Sequence, residues 1–432
     1  MRALFPLFVV LSLIGCAERS QLPAGADIGP DPTLPEPTQT LIPTVKIAPA
    51  KGWPAGVTPK AAQGTAVSAF ATGLQHPRWV YVLPNGDVLV AETAAPERPE
   101  EGKGIKGRIM GIYMKKAGSA VPSANRITLF RDADGDGVPE LRQAFLEGLN
   151  SPFGMALVGN DLYIANTDAV VRFPYREGQT RITGSGTRLA ELPAGPRNHH
   201  WTKNLIASRD GRKLYVTTGS NSNVAEHGMA EEEGRAEIWE VDARSGQRRT
   251  FASGLRNPNG LGWEPKSGAL WTVVNERDEL GSDLVPDYLT SVRDGAFYGW
   301  PYSYFGQNVD QRVKPPRPDL VAKAVKPDYA LGNHVAPLGL VFSGNAKLPF
   351  GEGAYVGQHG SWNRRPPSGY NVVFIPFRDG KPSGKPVEVL TGFLSPEGEA
   401  YGRPVGVAID RRGALLVADD VGNVVWRLSS AR

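Results

Sequence analysis

A short pattern, Phe-x-x-Gly-Leu-x-x-Pro, occurs three times in this chain and constrains its fold more than any other sequence feature. The copies run over residues 70–77, 145–152 and 251–258. Each copy is followed by a short apolar strand, a turn that contains glycine (Asn85-Gly86, Gly159-Asn160 or Ser267-Gly268), and a second strand. The chain is therefore built from repeated strand-turn-strand units.

Six second strands of this kind can be identified along the chain. They are Val88–Ala91, Leu162–Ala165, Leu214–Thr217, Leu270–Val273, Ala354–Gly357 and Leu415–Ala418. One such unit cannot cover both of its own faces, so the repeats predict an all-β, six-bladed β-propeller. A pair of β-sandwiches is the alternative fold. The unequal spacing predicts long insertions between strands, which decorate one face of a propeller.

The N-terminal sequence is typical of an export signal. Arg2 precedes an apolar run too short to span a membrane, and the run ends at Cys16, the one cysteine of the chain. Residues 13–16, Leu-Ile-Gly-Cys, resemble a bacterial lipobox. We expect a signal peptide over residues 1–15 and lipidation of Cys16; an ordinary signal peptide with a chance cysteine is the alternative. Ala17, where an Asp would signal retention, favours the outer membrane.

The segment that follows differs in composition from the rest of the chain. Residues 16–60 are rich in Pro, Ala and Thr and lack apolar periodicity, which predicts a disordered, lipidated tether. The propeller domain is then expected over residues 61–432. The net charge is +4, with Lys and Arg interspersed among Asp and Glu. This mixture argues against nucleic-acid binding and leaves the lipid anchor as the expected membrane contact on the periplasmic side of the envelope.

The ends of the second strands are polar in all six units. They carry Glu92, Asn166, Ser220, Asn221, Asn275, Gln358, His359, Asp419 and Asp420. Equivalent strand ends of a propeller lie on one face near the central channel, so these residues are expected to line one cup.

An acidic loop has the composition of a calcium site. Asp132, Asp134, Asp136 and Glu140 flank a glycine turn, and such loops wrap oxygen ligands around Ca²⁺. Gln143 stands where an EF-hand has its glutamate, so the loop is not a full EF-hand. Because it is expected to lie on an excursion between blades, the loop is predicted to bind a structural calcium ion. A plain acidic turn is the alternative interpretation.

Basic side chains mark the same strand ends. His200 precedes a strand, and a near-neutral imidazole suits proton abstraction from a hydroxyl group. Arg256, Arg364 and Arg403 predict a ligand with several carboxylates, because guanidinium groups pair carboxylates bidentately.

The order of these motifs resembles the glucose/sorbosone dehydrogenases, soluble quinoprotein sugar dehydrogenases that use pyrroloquinoline quinone (PQQ). The L-sorbosone dehydrogenase-like branch fits best. The matching pieces are His200–Leu205, Leu214–Gly219, Gly254–Leu261, Asn275–Leu280, Tyr298–Pro301, Ala336–Pro337, Gly360–Arg364 and Gly402–Val407.

The resemblance implies oxidation of an aldose, or of a sugar aldehyde such as sorbosone, to a lactone or acid. His200 would be the general base, with hydride passing to the quinone, and Arg256 would polarise the quinone oxygen. Asn257, Arg364 and Arg403 would also hold PQQ. A second Ca²⁺ would bridge cofactor and protein, with Glu276 and Asp278 as candidate ligands. Electrons would pass on to an acceptor such as a cytochrome or a quinone.

Departures from the family pattern leave the sugar open. Ser220 replaces an acid of the soluble glucose enzymes, His199 replaces the acid before the base, and a cofactor lysine is absent. Two other functions stay open. One is a metal-dependent lactonase whose ion would sit in an oxygen cage of Glu92, Asn166, Asn221 and Asp419. The other is a non-catalytic lipoprotein propeller that binds partners.

Overall fold

The computed structural model of the protein describes residues 18–38, 45–100 and 103–431. Within them, six antiparallel sheets of at least four strands follow one another along the chain, and each sheet is one blade of a ring. The predicted six-bladed β-propeller is confirmed.

The strands are numbered in chain order. Those up to the end of blade 3 are β1 Ile28–Gly29, β2 Lys60–Ala61, β3 Thr65–Ala71, β4 Pro77–Val82, β5 Val88–Glu92, β6 Arg126–Arg131, β7 Leu141–Leu146, β8 Met155–Val158, β9 Asp161–Ala165, β10 Ala169–Pro174, β11 Thr187–Glu191, β12 Leu205–Ala207, β13 Lys213–Thr218, β14 Glu237–Asp242 and β15 Arg248–Ser253. The remaining strands are β16 Asn257–Trp263, β17 Leu270–Asn275, β18 Pro286–Val292, β19 Ser303–Tyr304, β20 Asn308–Val309, β21 Tyr329–Asn333, β22 Pro337–Phe342, β23 Gly353–Gln358, β24 Asn371–Arg378, β25 Lys381–Pro382, β26 Val387–Thr391, β27 Pro404–Ile409, β28 Leu415–Asp419 and β29 Val424–Ser430. The helices are α1 Gly104–Lys116, α2 Pro318–Val321 and a 3₁₀ turn, Met229–Glu232.

Blades 1, 2 and 3 are the meanders β4–β7, β8–β11 and β12–β15. Blade 4 joins β16, β17, β18 and β21, and blade 5 joins β22, β23, β24 and β26. Blade 6 takes β27, β28 and β29 from the C-terminal part of the chain and β3 from the N-terminal part. This pairing closes the ring, because the two ends of the domain share one sheet. All six predicted second strands fall in β5, β9, β13, β17, β23 and β28.

The core lies between blades. In β28, Leu415 and Val417 pack towards blade 5, whereas Leu416 and Ala418 pack towards blade 1. Successive side chains of a strand point to opposite faces, and both faces here are covered. This explains why the second strands are continuously apolar in sequence.

Proline begins the inner strand of four blades. Pro77, Pro258, Pro337 and Pro404 each stand at or next to the start of such a strand, and the register with the second strand shifts just after each. A proline cannot donate to the ladder and is tolerated at bulges. At each of these prolines, the neighbouring polar residues are therefore not paired with the second strand. They lie at the face of the ring where the second strands end, which we call the cup face.

The N-terminal segment corrects one prediction. Residues 18–38 and 45–60, which we call the strap, cross the cup face of blades 4, 5 and 6. β1 pairs with β21 and β2 with β26, and the indole of Trp53 donates to Asp419 at 2.7 Å. The prediction of a disordered tether is wrong for these described residues, because their backbone and polar groups bond to the ring. The signal peptide and Cys16 lie outside the described residues.

A long insertion joins β5 to β6 on the cup face. It spans residues 93–125 and contains α1. Its Lys116 carbonyl accepts a hydrogen bond from the strap at Ala50 N (2.9 Å). No helix in the described parts of the chain is long and apolar enough to cross a bilayer.

Candidate active site

His200 lies at the cup face just before blade 3 and is held by Ser220. Its Nδ1 is 2.8 Å from Ser220 O and 3.0 Å from Ser220 Oγ. A carbonyl oxygen only accepts, so Nδ1 carries the proton, and the Nε2 of the neutral ring keeps its lone pair. Burial lowers the pKa of His200 well below 6.5, and the neighbouring His199 and Arg256 lower it further. His200 is therefore a neutral imidazole at neutral pH, able to accept a proton at Nε2.

Arg256 lies at the next blade junction and is buried. Its guanidinium donates to Glu276 O at 2.7 Å, to Asn223 Oδ1 at 3.0 Å and to Asp278 Oδ2 at 3.2 Å, and its Nε donates to Asn223 O. These bonds use four of its five N–H groups. One Nη1 hydrogen of Arg256 thus remains available to a ligand. The other four N–H groups hold the guanidinium in a fixed position.

The backbone brings the two residues together. Ser220 N donates to Arg256 O at 2.7 Å. A Cβ at Gly219 would lie 2.4 Å from Asn257 Oδ1 and 2.6 Å from the His200 Cβ, so only glycine permits this approach. Asn257 Oδ1 is buried without a hydrogen-bond partner. We call His200, Ser220, Arg256 and Asn257 the base site.

A second group of polar side chains lies where blades 5, 6 and 1 meet on the cup face. Arg78 Nη1 donates to Asp420 Oδ2 at 2.5 Å, and His359 Nε2 lies 2.9 Å from the same oxygen. His76 Nε2 is 3.7 Å away. Arg403 lies beside Arg78 and His359 and packs over the Tyr370 ring. We call His76, Arg78, His359, Arg403 and Asp420 the arginine–histidine cluster.

Charges inside this cluster are strongly coupled. Burial alone would raise the pKa of Asp420, but His359, His76 and Arg78 outweigh it and hold that pKa well below its usual range. Burial lowers the pKa of His359 to about 4 and also lowers the pKa of His76. At neutral pH the cluster therefore holds two guanidinium cations against one carboxylate.

The cluster has unused hydrogen-bonding capacity. Buried atoms without a partner in the described structure include Arg78 Nε, Arg403 Nε, His76 Nε2 and Asp420 Oδ1. Buried polar groups are normally paired. The Arg78 guanidinium also lies 5.7 Å from the ring of Trp201, the residue after His200, so the cluster adjoins the base site.

Arg364 has other partners than the resemblance implied. Its Nε donates to Ser282 O at 2.9 Å and its Nη2 to Ser20 Oγ at 3.0 Å, and Asp27 and Asp283 lie within 3.7 Å. The guanidinium fastens the strap to blade 4. The geometry does not support its predicted role in holding PQQ.

The candidate calcium ligands Glu276 and Asp278 also have basic partners. Glu276 Oε2 pairs with the buried Arg277 at 3.0 Å, and Asp278 pairs with Arg256. Asp278 Oδ1 further accepts from Asn363 Nδ2 at 2.5 Å. Asp278 therefore positions Arg256 in this structure, and its role as a metal ligand stays a prediction.

The acidic loop lies between β6 and β7, on the face opposite the cup. Carboxylate oxygens of Asp132, Asp134, Asp136 and Glu140 lie within 4.8 Å of one another. The sequence thus correctly grouped these four residues, and their distance from the cup separates them from the base site.

The oxygen cage of the lactonase alternative is not assembled. Both Glu92 oxygens bond to Arg126. Asp419 accepts from Trp53, Trp426 and two backbone N–H groups. Two of the four proposed ligands are therefore committed to holding blades and strap.

Sequence reasoning missed Ser220 as the support of the base, and it missed Arg78. The sequence marks Ser220 as a polar strand end and as a departure from the family pattern, but not as the partner of His200. Arg78 follows Pro77, the proline of the first repeat, and Arg403 precedes Pro404. The shared position beside an inner-strand proline was the signal that could have found Arg78.

Comparisons with known proteins agree with this architecture. A solved structure of the family AA12 carbohydrate-active enzyme of Trichoderma reesei superposes with a TM-score of 0.69 at 20% identity, covering 91% of this chain and all of that one. This likeness shows the fold.

Two curated relatives have sequence similarity over most of the chain. The PQQ-dependent sugar dehydrogenase of Hypocrea jecorina is 23% identical over 430 residues, which cover 86% of this chain and 90% of that protein. The PQQ-dependent pyranose dehydrogenase of Coprinopsis cinerea is 24% identical over 359 residues, 73% of this chain but only 44% of that longer protein.

A family model matches the chain over residues 122–288 and 319–431, together more than half of its length. The matched part contains His200, Arg256 and Arg403. The chain therefore belongs to the TrAA12-like family.

Proposed function

We propose that this protein is a PQQ-dependent dehydrogenase that oxidises an aldose or a sugar aldehyde to a lactone or acid. The observation that carries the proposal is the base site: a neutral imidazole with a fixed tautomer, next to a rigid arginine with one N–H to spare. Two relatives of this chain, the PQQ-dependent pyranose dehydrogenase and the PQQ-dependent sugar dehydrogenase described above, support it.

His200 Nε2 takes the proton of the hydroxyl group on the carbon that is oxidised. This is the anomeric hydroxyl of an aldose or a hydroxyl of a hydrated sugar aldehyde. Ser220 keeps the opposite nitrogen protonated, so the ring cannot present the wrong tautomer. Arg256 stabilises negative charge that develops on the acceptor oxygen, and its four protein bonds hold it in place so that little reorganisation is needed. When bound, PQQ would supply a quinone that accepts a hydride ion, which is one proton with two electrons, from the substrate carbon.

The donor set of the cup fits PQQ. Its carboxylates need cations, and Arg403 and Arg78 present buried Nε atoms without partners, while Asn257 presents an unpaired amide oxygen. We assign the cofactor to Arg256, Asn257, Arg403 and Arg78, and assign Arg364 to the strap.

The direct test is titration of purified apoprotein with PQQ in the presence of Ca²⁺. Quenching of tryptophan fluorescence should report binding, and dye reduction should report turnover across a panel of aldoses and sugar aldehydes. Binding without turnover of any sugar would favour a non-catalytic propeller, and no binding would refute the proposal.

Two further features belong to this proposal. Cys16 is lipidated and anchors the protein in the bacterial envelope, which its lipobox-like sequence supports; a Cys16→Ser variant should leave the membrane fraction. The acidic loop holds a structural Ca²⁺, which the convergence of its four carboxylates supports.

A further inference from the structure

The start of the strap is fixed to the cup face. The Glu18 carboxylate accepts from Ser282 N at 2.8 Å and from Ser282 Oγ at 2.8 Å. Ser20 Oγ donates to Asp283 at 2.5 Å, and the backbone N–H of Gln21 donates to the same carboxylate. The first described residues are therefore held by four hydrogen bonds to one loop.

This loop belongs to the active-site side of the ring. It follows β17, and Asp278, which positions Arg256, lies four residues before Ser282. Cys16 precedes Glu18 by only two residues in the sequence, and each residue adds at most about 3.8 Å to the chain. A lipid on Cys16 would thus emerge next to the cup face and not at the end of a long tether.

The insertion with α1 gives this face a second feature that suits a membrane. Residues 103–116 contain five Lys or Arg and no Asp or Glu. The Ile112 side chain is 69% exposed, and Lys115 and Lys116 are exposed at the end of the helix. Basic residues near the cytoplasmic or periplasmic surface of a membrane are attracted by anionic lipids, and an exposed apolar side chain beside them can enter the headgroup region.

The opposite face carries the acidic loop. Of Asp132, Asp134, Asp136 and Glu140, three are exposed. An anionic bilayer would repel this loop and attract α1. The position of the strap and the charges of α1 and of the acidic loop therefore agree.

We propose that the protein docks on an anionic phospholipid surface through the part of the cup face that carries α1 and the start of the strap. The orientation rests on the lipid anchor proposed above. Ile112 enters the headgroup region, Lys115 and Lys116 contact phosphate groups, and the acidic loop faces away from the bilayer.

Fluorescence quenching on vesicles tests the orientation. Acylation blocks the one native thiol, so a cysteine introduced by Ile112→Cys, or by Arg244→Cys at an exposed turn of the opposite face, can be labelled alone. Each lipidated variant is bound to phosphatidylethanolamine–phosphatidylglycerol vesicles that carry nitroxide lipids. The probe at 112 should be quenched several-fold more than the probe at 244. Equal or reversed quenching on vesicle-bound protein would overturn the orientation, whereas failure of the wild type to float with vesicles would count against the anchor itself.

Charge reversal tests the helix without the lipid. The Cys16→Ser protein is mixed with phosphatidylglycerol vesicles, where each basic residue contributes about fivefold in partitioning. Lys115→Glu with Lys116→Glu should weaken binding by at least about 25-fold. Arg244→Glu with Lys381→Glu, which changes the net charge equally on the opposite face, should leave it nearly unchanged. Equal losses in both pairs, or no measurable binding of the parent, would overturn the proposal.

Discussion

The base site and the arginine–histidine cluster lie on the same face of the ring but are built in opposite ways. At the base site, Arg256 uses four of its five N–H groups on protein acceptors, and Ser220 fixes the His200 ring. In the cluster, Arg78 and Arg403 each keep a buried Nε without a partner. In the first region His200 and Arg256 are held in place by protein groups, although Asn257 Oδ1 lacks a partner. In the second region the guanidinium groups of Arg78 and Arg403 themselves lack partners.

The difference separates two tasks that a cofactor enzyme has to perform. A group that acts in a reaction must already be in its working position and protonation state, which demands saturated supports. A group that holds a polyanion needs unpaired donors, because its partners arrive with the ligand. We therefore expect variants of His200 to lose turnover, variants of the cluster to lose PQQ affinity, and variants of Arg256 to lose both.

The largest effect is expected for His200→Ala. A positioned base contributes about 10²- to 10⁴-fold in rate, so kcat should fall by that factor. PQQ binding should persist, because the imidazole does not hold the cofactor. Steady-state kinetics and fluorescence titration measure the two quantities separately.

His199→Ala is the matched control for that variant, since the two rings are neighbours with centroids 4.6 Å apart. It should keep most of the activity. An inactive His199→Ala enzyme beside an active His200→Ala enzyme would show that the base has been assigned to the wrong histidine.

Arg256→Ala should lose about 10²- to 10³-fold in kcat, the usual cost of removing a donor to a developing oxyanion. The Arg256→Ala variant should also show a second, independent effect, on the pH dependence of kcat. The Arg256 cation lowers the pKa of His200, so its removal should move the acid limb of the kcat–pH profile to higher pH. If a normally folded Arg256→Ala variant keeps the wild-type kcat–pH profile, Arg256 does not influence the pKa of His200.

Arg403→Ala tests the cluster. A hydrogen bond to a charged group contributes about 1.5–3 kcal/mol, so the Kd for PQQ should rise about 10- to 150-fold, with kcat near normal at saturating PQQ. Arg364→Ala is the control, an arginine on the same face that bonds to the strap. If Arg364→Ala weakens PQQ binding and Arg403→Ala does not, then Arg364 holds PQQ, as the family resemblance implied, and our assignment of Arg364 to the strap alone is wrong.

The sequence predicted the ring better than the site, for a physical reason. A second strand such as Leu415–Ala418 is buried on both faces, so its apolar run is visible without any knowledge of its neighbours. His200 and Arg256 were found through family motifs. Arg78 and Asp420 are 342 residues apart, and no local pattern reports that they meet.

The strap also shows that a local sequence pattern does not reveal contacts with distant residues. Its proline-rich composition indicates a segment without a core of its own, and that is correct locally. Its order comes from partners hundreds of residues away, such as Asp283 and Asp419. Composition reports what a segment can do alone and does not report the surface that it meets.

The cluster should also make stability fall in mild acid. The unfolded chain protonates His359 near pH 6.5, whereas burial keeps the folded pKa at about 4. The contribution of neutral His359 to the free energy of unfolding is therefore complete above pH 6.5. It is lost as the pH falls towards 4, at up to about 1.4 kcal/mol for each pH unit. His76, with a lowered pKa, adds in the same direction.

Urea unfolding of wild type and His359→Gln between pH 7 and 4.5 measures this slope. The variant should show a shallower decline. Asp420 does not interfere in this window, because its lowered pKa affects stability only below the ordinary carboxyl range. Parallel slopes in the two proteins would mean that His359 protonates equally in the folded and unfolded states.

The smallest effect is expected far from both regions, at the acidic loop. If Asp132, Asp134, Asp136 and Glu140 bind Ca²⁺, the ion stabilises the folded state by mass action, by about 2.7 kcal/mol at a hundredfold excess over Kd. In a domain of this size that corresponds to a few degrees in Tm. Chelation should therefore lower the Tm of wild type by more than it lowers the Tm of a variant with Asp134→Ala and Asp136→Ala. PQQ affinity should be the same in both proteins at equal free Ca²⁺, because the loop lies on the opposite face from the cup. Equal sensitivity of the two melting temperatures would assign the calcium effect to another site, and the cup would then be the first place to search.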